Sequence, residues 1–392
     1  MSSLAASAAF AEHTGPDGTD PTEAGVLGRV ADAGIAVDAT LTVDVSRNLS
    51  GGRSGAGTFR HLFDLSIGLD LGPLVGVEGG SLLASFQTQE GQDGSAETGD
   101  LQAYSNIDAD DFTALYELWY QQTLFDGVAR IKVGKMDANA DFAFVEHGGG
   151  FIHSSPGFSP TLFVLPTYPD PAFGAIGFVG EGGGLYAGAG VFDGALQEGV
   201  PTGTRGPKTL FGGPADLFVI GEVGYAWGGV EAADASPGRV AVGSWHHTGD
   251  FPRFDGGARS RATGAFLVFD QTLYRENPGA GDGQGLGAFF QYGWADPQLS
   301  LIEHHVGAGV QWVGALPGRD ADTAGVMVSW AGLSDAPGAG LTDEAEAAVE
   351  LFYELRLGEH LSLKPDLQYI ANPGGAGLED AWVATLRVEL VF

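Results

Sequence analysis

Two basic residues, Arg130 and Lys132, alternate with the aliphatic residues Ile131 and Val133 in one short segment. Successive side chains of a β-strand point to opposite faces, so both cations are expected on one face and both aliphatic residues on the other. A guanidinium group carries a fork of donors that suits paired hydroxyl groups, and charged rings set the selectivity of a pore. The segment therefore predicts a polar binding surface.

The preceding segment extends this surface. Glu117, Trp119 and Gln121 alternate in the same way, so they are expected on the face equivalent to that of Arg130 and Lys132. We predict that Glu117 and Trp119 contact the same solute as the two cations. The alternative is that these charged side chains pair with one another and stabilise the sheet that carries them.

Residues 136–172 form a Gly- and Pro-rich segment that is too long to be a simple turn, and such loops are usually functional. The aromatic rings of Phe142 and Phe151 offer flat apolar faces that would suit the C–H surfaces of a small organic solute. The alternative is that the rings pack the loop onto a wall. The segment's further aromatic residues are Phe144, Phe158, Phe163 and Tyr168.

Patterns of enzymes and metal sites are missing from the sequence. It contains no nucleophile elbow, P-loop, EF-hand or H-E-x-x-H pattern. The adjacent pairs His246-His247 and His304-His305 would point to opposite faces of a strand, so neither can chelate one metal. We predict no enzymatic activity, no cofactor and no metal.

The composition argues against a nucleic-acid partner and against membrane-spanning helices. The formal net charge is −32, which argues against binding to nucleic acid phosphates. Hydrophobic residues make up 44%, yet no apolar run has the length of a membrane helix. A chain without such a run can still cross a bilayer as a closed barrel, because lipid offers no partner for a free backbone N–H.

The dominant hydrophobic period is two. At the C-terminus, Trp382, Leu386 and Phe392 share one face, whereas Thr385 and Arg387 share the other. Stretches of this kind run to ten or more residues, the length that crosses a bilayer at a tilt. We predict an all-β, antiparallel transmembrane barrel of about 16 strands. The predicted strands are 33–47, 59–70, 77–89, 111–125, 128–135, 173–181, 184–192, 215–227, 239–249, 261–274, 285–294, 303–313, 323–333, 344–357, 360–370 and 379–392.

The connections between these strands alternate in length, with tight turns such as Asp126-Gly127 and long loops such as 136–172. This alternation is typical of outer-membrane barrels. Two connections, 228–238 and 275–284, fit it poorly because they are long where short turns are expected.

The N-terminus suggests export. Residues 4–11 are apolar and small, and Ala9-Phe10-Ala11 matches a signal-peptide cleavage pattern, although a basic segment before it is missing. We assign residues 1–24 to a signal-peptide remnant and N-terminal tail, and 25–392 to a single barrel domain. The chain has no Cys, which excludes lipid anchoring through Cys.

Phe392 ends the chain after Leu390, Val388 and Leu386 at alternate positions. This pattern resembles the C-terminal signal by which the assembly machinery of the outer membrane takes up barrels. We therefore predict that machinery as a partner through Phe392, together with outer-membrane lipid.

Several strings of residues resemble the carbohydrate-selective porins of the OprB type. The most specific is Pro365-Asp366-Leu367-Gln368-Tyr369-Ile370, followed by Asn372-Pro373-Gly374-Gly375. Arg130-Ile131-Lys132-Val133-Gly134-Lys135-Met136-Asp137, Asp141-Phe142-Ala143 and Tyr168-Pro169-Asp170-Pro171 continue the match in order. The resemblance implies a sixteen-stranded barrel, a third loop folded inward as a constriction, passive uptake of small sugars and location in the outer membrane of a Gram-negative-type bacterium.

Other functions stay open at this point. The acidic balance suggests a general or cation-selective porin as an alternative. A barrel enzyme would need a nucleophile and base at one rim, and a secreted adhesin would leave the lipid-facing stripe and Phe392 without a purpose. The sequence is compatible with a homo-oligomer and does not identify the sugar.

Overall fold

A computed structural model describes residues 34–195, 202–205, 215–228, 236–277 and 283–392. Its strands are β1 (Ile35–Ser50), β2 (Gly57–Asp70), β3 (Gly80–Gly91), β4 (Phe112–Leu124), β5 (Ala129–Met136), β6 (Ala172–Val179), β7 (Gly184–Asp193), β8 (Leu217–Trp227), β9 (Gly238–Pro252), β10 (Ala258–Arg275), β11 (Gly285–Ala295), β12 (Ile302–Val313), β13 (Thr323–Leu333), β14 (Ala345–Arg356), β15 (Leu361–Ala371) and β16 (Ala381–Val391). The predicted signal remnant and tail, residues 1–24, lie outside the described residues.

Helical segments are short and lie in the connections. The α-helices are α1 (Leu71–Val75), α2 (Ser95–Thr98) and α3 (Thr202–Arg205). Single 3₁₀ turns occur at Ala138–Ala140, Glu146–Gly148 and Pro373–Gly375. In the part of the chain that the structure describes, no helix is long and apolar enough to cross a membrane.

The strands form one closed antiparallel barrel in which each strand pairs with its neighbours in sequence. Closure occurs between β1 and β16, where Thr40 pairs with Val391 and Val43 pairs with Val388. Closure removes the free sheet edges, whose unpaired N–H and C=O groups could not be solvated in lipid. The predicted fold class and the sixteen strands are confirmed.

The outer face of the barrel carries mainly apolar side chains, whereas the inner face carries most of the polar and charged ones. In β16, Trp382 and Leu386 are exposed, whereas Val383, Thr385 and Arg387 are buried in the barrel. Aromatic residues lie near both ends of this outer surface, as in the girdles of transmembrane barrels. They include Trp330 and Trp382 near one rim and Tyr225, Tyr274 and Trp312 near the other.

Both ends of the barrel chain, Ile35 and Val391, lie at one rim, which we call the terminal rim; the other is the loop rim. Connections 92–111 and 137–171 lie at the loop rim and are the long loops that the sequence predicts. The predicted alternation is incomplete, however. Connection 253–257 at the loop rim is short because β9 and β10 continue pairing from Asp250 with Ser260 to Pro252 with Ala258, beyond their predicted ends. At the terminal rim, β8 ends at Trp227 and β9 begins at Gly238, while β10 ends at Arg275 and β11 begins at Gly285. These strand ends leave two long connections, as the sequence suggested.

Candidate functional site

The loop 137–171, which we call the inward loop, crosses the interior of the barrel. Its backbone contacts strands far from β5 and β6, between which it is inserted. The N–H of Ala143 donates to Glu222 Oε2 at 3.2 Å, and Lys364 Nζ donates to Gly150 O at 2.8 Å. These contacts, on β8 and β15, place the loop inside the lumen, as the family resemblance implied.

Apolar packing also holds the inward loop against the wall. Phe142 stacks at a tilt on Phe178 of β6, with 4.9 Å between ring centroids. Phe151 meets Phe352 of β14 edge to face at 5.0 Å and Phe289 of β11 at 5.8 Å. Edge-to-face and offset pairs are the favourable arrangements of aromatic rings.

These contacts correct the prediction for Phe142 and Phe151. Both side chains are 0% exposed, so neither ring has surface free for a solute. Their burial fits the packing alternative, in which they hold the loop to opposite sides of the barrel. We assign them a positioning role in place of direct contact with sugar.

A cavity of about 290 Å³ lies between the inward loop and the wall of β4 to β9. We call it the lumen cavity. Its volume is near the lower end of small-molecule sites, about 300 Å³. Its charged and aromatic lining consists of Trp119, Arg130, Lys132, Asp141, Phe144, Phe178, Glu181, Tyr186, Glu222 and Arg239.

The predicted cations Arg130 and Lys132 line this cavity, while Ile131 and Val133 are exposed on the outer face. Both cations bind Asp141 of the inward loop: Arg130 Nη1 lies 2.6 Å from Oδ1, and Lys132 Nζ lies 2.6 Å from Oδ2. Arg130 also binds Glu181 in the β6–β7 turn through Nε at 2.7 Å. The cations therefore tie the loop to the wall as well as lining the passage.

Two neighbouring cations stabilise the ionised form of the buried Asp141 carboxyl group. Burial alone would raise the pKa of Asp141, but the charges and hydrogen bonds of Lys132 and Arg130 outweigh it and lower the pKa. Asp141 is therefore ionised at neutral pH, and it compensates both cations.

A second ion pair lines the opposite side of the cavity. Arg239 of β9 lies 3.8 Å from Glu222 of β8, and Tyr186 donates its hydroxyl proton to Glu222 at 3.0 Å. The Arg239 guanidinium also lies 3.8 Å from the ring centre of Phe144, a cation–π contact with the inward loop. This pair was not predicted, although Arg239 occupies a lumen-facing position in the alternation of β9.

Trp119 lies beside the first ion pair, as predicted. It is partly exposed to the cavity, and Lys132 Nζ lies 4.7 Å from its ring centre. The ring supplies an apolar surface between charged groups, the combination that suits a solute with both C–H and hydroxyl faces.

Glu117 faces inward, as its alternation predicted, but it lies at the base of the inward loop and is 2% exposed. It accepts a hydrogen bond from the N–H of Asp137 at 3.0 Å. A bulge opposite Ser85 and Phe86 makes Tyr116 face inward as well, and its hydroxyl donates to Asp137 at 2.6 Å. Glu117 is therefore placed to orient the loop, and its predicted contact with the solute is corrected to this positioning role.

Of the residues that the sequence analysis named, Arg130, Lys132, Trp119, Gln121 and Phe144 line the cavity, but the ion-pair partners of the cations were missed. Asp141 lies within a string that carried the family resemblance, and that string was the available signal for it. Glu222 and Arg239 are polar residues at inward positions of β8 and β9, but alternation alone does not show which inward residues meet the loop.

Comparisons with known proteins agree with this architecture. The chain is 22% identical over 408 residues to Porin B of Pseudomonas aeruginosa, covering 89% of this chain and 86% of that protein. The high-pH structure of Pseudomonas putida OprB is similar in fold, with a TM-score of 0.82, 18% identity and coverage of 93% of this chain and 96% of that one. Its low-pH structure gives a TM-score of 0.61 with 16% identity, covering 95% and 98% of the two chains.

The structural similarities establish the fold, and the match to a sequence family establishes the family. Residues 56–392 match the carbohydrate-selective porin family of the OprB type, and this range includes β5, the inward loop and every strand that lines the lumen cavity. The chain belongs to the carbohydrate-selective OprB family of outer-membrane porins.

Proposed function

We propose that this porin passes small neutral carbohydrates by passive diffusion, through the lumen cavity beside the inward loop. The main support for this proposal is that positive and negative charges balance in the lining of the cavity. Three cations, Arg130, Lys132 and Arg239, line it together with three carboxylates, Asp141, Glu181 and Glu222. Charges of opposite sign at the same depth give little net preference for either sign of ion. They still offer donors and acceptors to hydroxyl groups.

Within this proposal, Trp119 supplies the apolar contact. A sugar lying on the indole would keep its hydroxyl groups toward Arg130, Lys132 and Asp141. Glu117, Phe142 and Phe151 act indirectly by holding the loop that forms the other side of the passage. Passage needs no change in covalent bonds.

A cation-selective porin is the second candidate, and the net charge of −32 favours it. Acidic loops would attract cations to the pore mouth. The balanced lining of the lumen cavity favours the neutral solute over this alternative.

Interruption of ionic current by sugar in planar bilayers tests the proposal. Glucose should reduce the current through single channels in a saturable manner. The Trp119→Ala variant should weaken this block about fivefold, as expected for the loss of about 1 kcal/mol of aromatic contact. Trp382→Ala, which removes a lipid-facing Trp that is 43% exposed, is the matched control and should leave the block unchanged. Equal block in wild type and Trp119→Ala would reject a sugar contact at Trp119.

A further inference from the structure

Carboxylates on the barrel wall accept backbone N–H groups of the inward loop at successive points around the lumen. A loop backbone inside the barrel needs such partners, because buried N–H groups without acceptors are costly. The pairs are Asp137 with Glu117 at 3.0 Å, Ala143 with Glu222 at 3.2 Å, His147 with Asp270 at 3.1 Å, and Ile152 and His153 with Glu350.

Glu350 makes the most extensive of these contacts. Its Oε1 accepts the N–H of Ile152 at 2.7 Å, and its Oε2 accepts the N–H of His153 at 3.0 Å. The side chain is 0% exposed. Hydrogen bonds to an ionised acceptor are stronger than neutral ones, and two consecutive N–H groups fix the orientation of the backbone. Glu350 lies on β14, so this contact reaches a wall far from β5 and β6.

Polar residues of β15 lie beside Glu350 on the inner face of the barrel. Gln368 of β15 pairs with Glu350 in the strand register, and Asp366, two positions earlier, lies on the same inner face. Asp366 Oδ1 accepts a hydrogen bond from Gln368 Nε2 at 3.0 Å. Lys364 binds the adjacent loop residue, Gly150, at 2.8 Å.

A second carboxylate on the same strand provides an internal comparison. Glu346 precedes Glu350 by four positions and therefore faces the lumen as well. Its oxygens accept the N–H groups of Leu101 at 2.9 Å and Gln102 at 3.1 Å, both in the connection 92–111. The N–H of Gly374 also binds Glu346, at 2.6 Å. The two glutamates thus hold different loops by the same geometry.

We infer that Glu350 is a positioning residue for transport, and that its clasp on Ile152 and His153 sets how far the inward loop narrows the lumen. The inference rests on the proposed function in one respect, namely that the solute passes beside this loop. Glu346 holds the connection 92–111, which in turn hydrogen-bonds the inward loop through the N–H of Asn106 to Ile152 O at 2.7 Å, so Glu346 acts on that loop only indirectly.

A spin label at Gly149 measures the position and motion of the loop directly. The chain has no Cys, so Gly149→Cys gives a single labelling site. Gly149 is exposed with a φ of −64°, and the nearest atom to an added Cβ is Glu146 O at 3.4 Å. The label is read by electron paramagnetic resonance in three backgrounds, Glu350→Gln, Glu346→Gln and Asp366→Asn.

Glu350→Gln replaces one acceptor oxygen by an NH₂ group that faces a backbone N–H. The population with a mobile loop tip should rise roughly tenfold, and single-channel conductance should rise with it. Asp366→Asn leaves both oxygens of Glu350 in place and keeps an acceptor for Gln368, so the label should stay as immobile as in wild type. Glu346→Gln leaves both acceptors of the Ile152 and His153 N–H groups in place, so it should mobilise the label much less than Glu350→Gln does. Heat-modifiable migration in detergent shows for each variant that the barrel has folded.

An immobile label and unchanged conductance in folded Glu350→Gln would overturn the inference, as would equal mobilisation by Glu346→Gln. The label and the salt conductance do not depend on which solute passes. Failure of sugar passage with a mobilised label would therefore reject the proposed function and leave the clasp standing. If Glu350→Gln does not fold, Ile152→Pro is measured in its place. This variant removes one of the two N–H groups of the clasp, and the same mobilisation of the label is expected.

Discussion

Replacing Arg130 and Lys132 together by alanine should make the pore strongly cation-selective. In the wild-type cavity, three cations face three carboxylates, whereas the variant leaves Arg239 against Asp141, Glu181 and Glu222, a net charge of −2. One unit charge about 6 Å from a permeating ion contributes roughly 0.7 kcal/mol in water. Two such charges would contribute about 1.4 kcal/mol, and screening at 0.15 M salt, with a Debye length of about 8 Å, roughly halves this.

The resulting change of about 0.7 kcal/mol enriches cations about threefold and depletes anions to the same extent. The permeability ratio of cation to anion should therefore rise about tenfold. Total conductance should also rise, because the variant removes two side chains that tie Asp141 of the inward loop to the wall. Reversal potentials under a salt gradient in planar bilayers measure the ratio.

The double variant Lys132→Ala with Asp141→Ala is the matched control. It also removes two side chains, but leaves Arg130 and Arg239 against Glu181 and Glu222, a balanced set. Its conductance should rise while its reversal potential stays near that of wild type. Equal reversal potentials for wild type and Arg130→Ala with Lys132→Ala would refute the reasoning and place the narrowest point elsewhere.

Three further predictions concern assembly, pH dependence and folding of the barrel. Deleting Phe392, whose N–H donates to Ala39 O at 2.9 Å, should leave protease-sensitive periplasmic protein, as shown by fractionation; normal membrane levels would contradict its role as a signal. Burial lowers the pKa of His153 from its ordinary 6.5 to about 3. The neutral ring therefore stabilises the folded loop by at most about 5 kcal/mol. This contribution is complete above pH 6.5 and is lost as pH falls toward 3. Conductance should therefore become noisier in acid for wild type but less so for His153→Asn, which keeps an acceptor for the N–H of Ser155; identical acid responses would exclude His153. Gly134 has a φ of +144°, and a Cβ added there would lie 2.2 Å from Leu118 O. Gly134→Ala should therefore lower the yield of folded barrel in a heat-modifiability assay. Gly177→Ala, whose added Cβ would lie 3.9 Å from the nearest atom, should fold normally.

The barrel was predictable because a period of two records which side of the wall each residue faces. Trp382, Leu386 and Arg387 show this, since their exposure follows the alternation in the sequence. Strand ends were less predictable: β9 and β10 pair beyond their predicted limits, because pairing between polar residues such as Asp250 and Ser260 leaves no hydrophobic pattern.

The site was predictable on the wall and less so in the loop. Arg130 and Lys132 follow from alternation within one strand. The burial of Phe142 and Phe151 depends on contacts with Phe178 of β6 and Phe352 of β14, which are far from them in sequence. No local pattern reports such contacts, so the sequence could not decide between binding a sugar and packing a loop.

Uptake of uncharged sugars into liposomes tests the central claim most directly. Vesicles containing the purified porin are mixed with glucose or with gluconate, a charged solute of similar size, and swelling is followed by light scattering. A charge-balanced passage for small carbohydrates predicts faster swelling in glucose than in gluconate, and slower swelling as neutral sugars increase in size. Equal rates for glucose and gluconate, or no swelling in glucose with ionic conductance intact, would contradict the account.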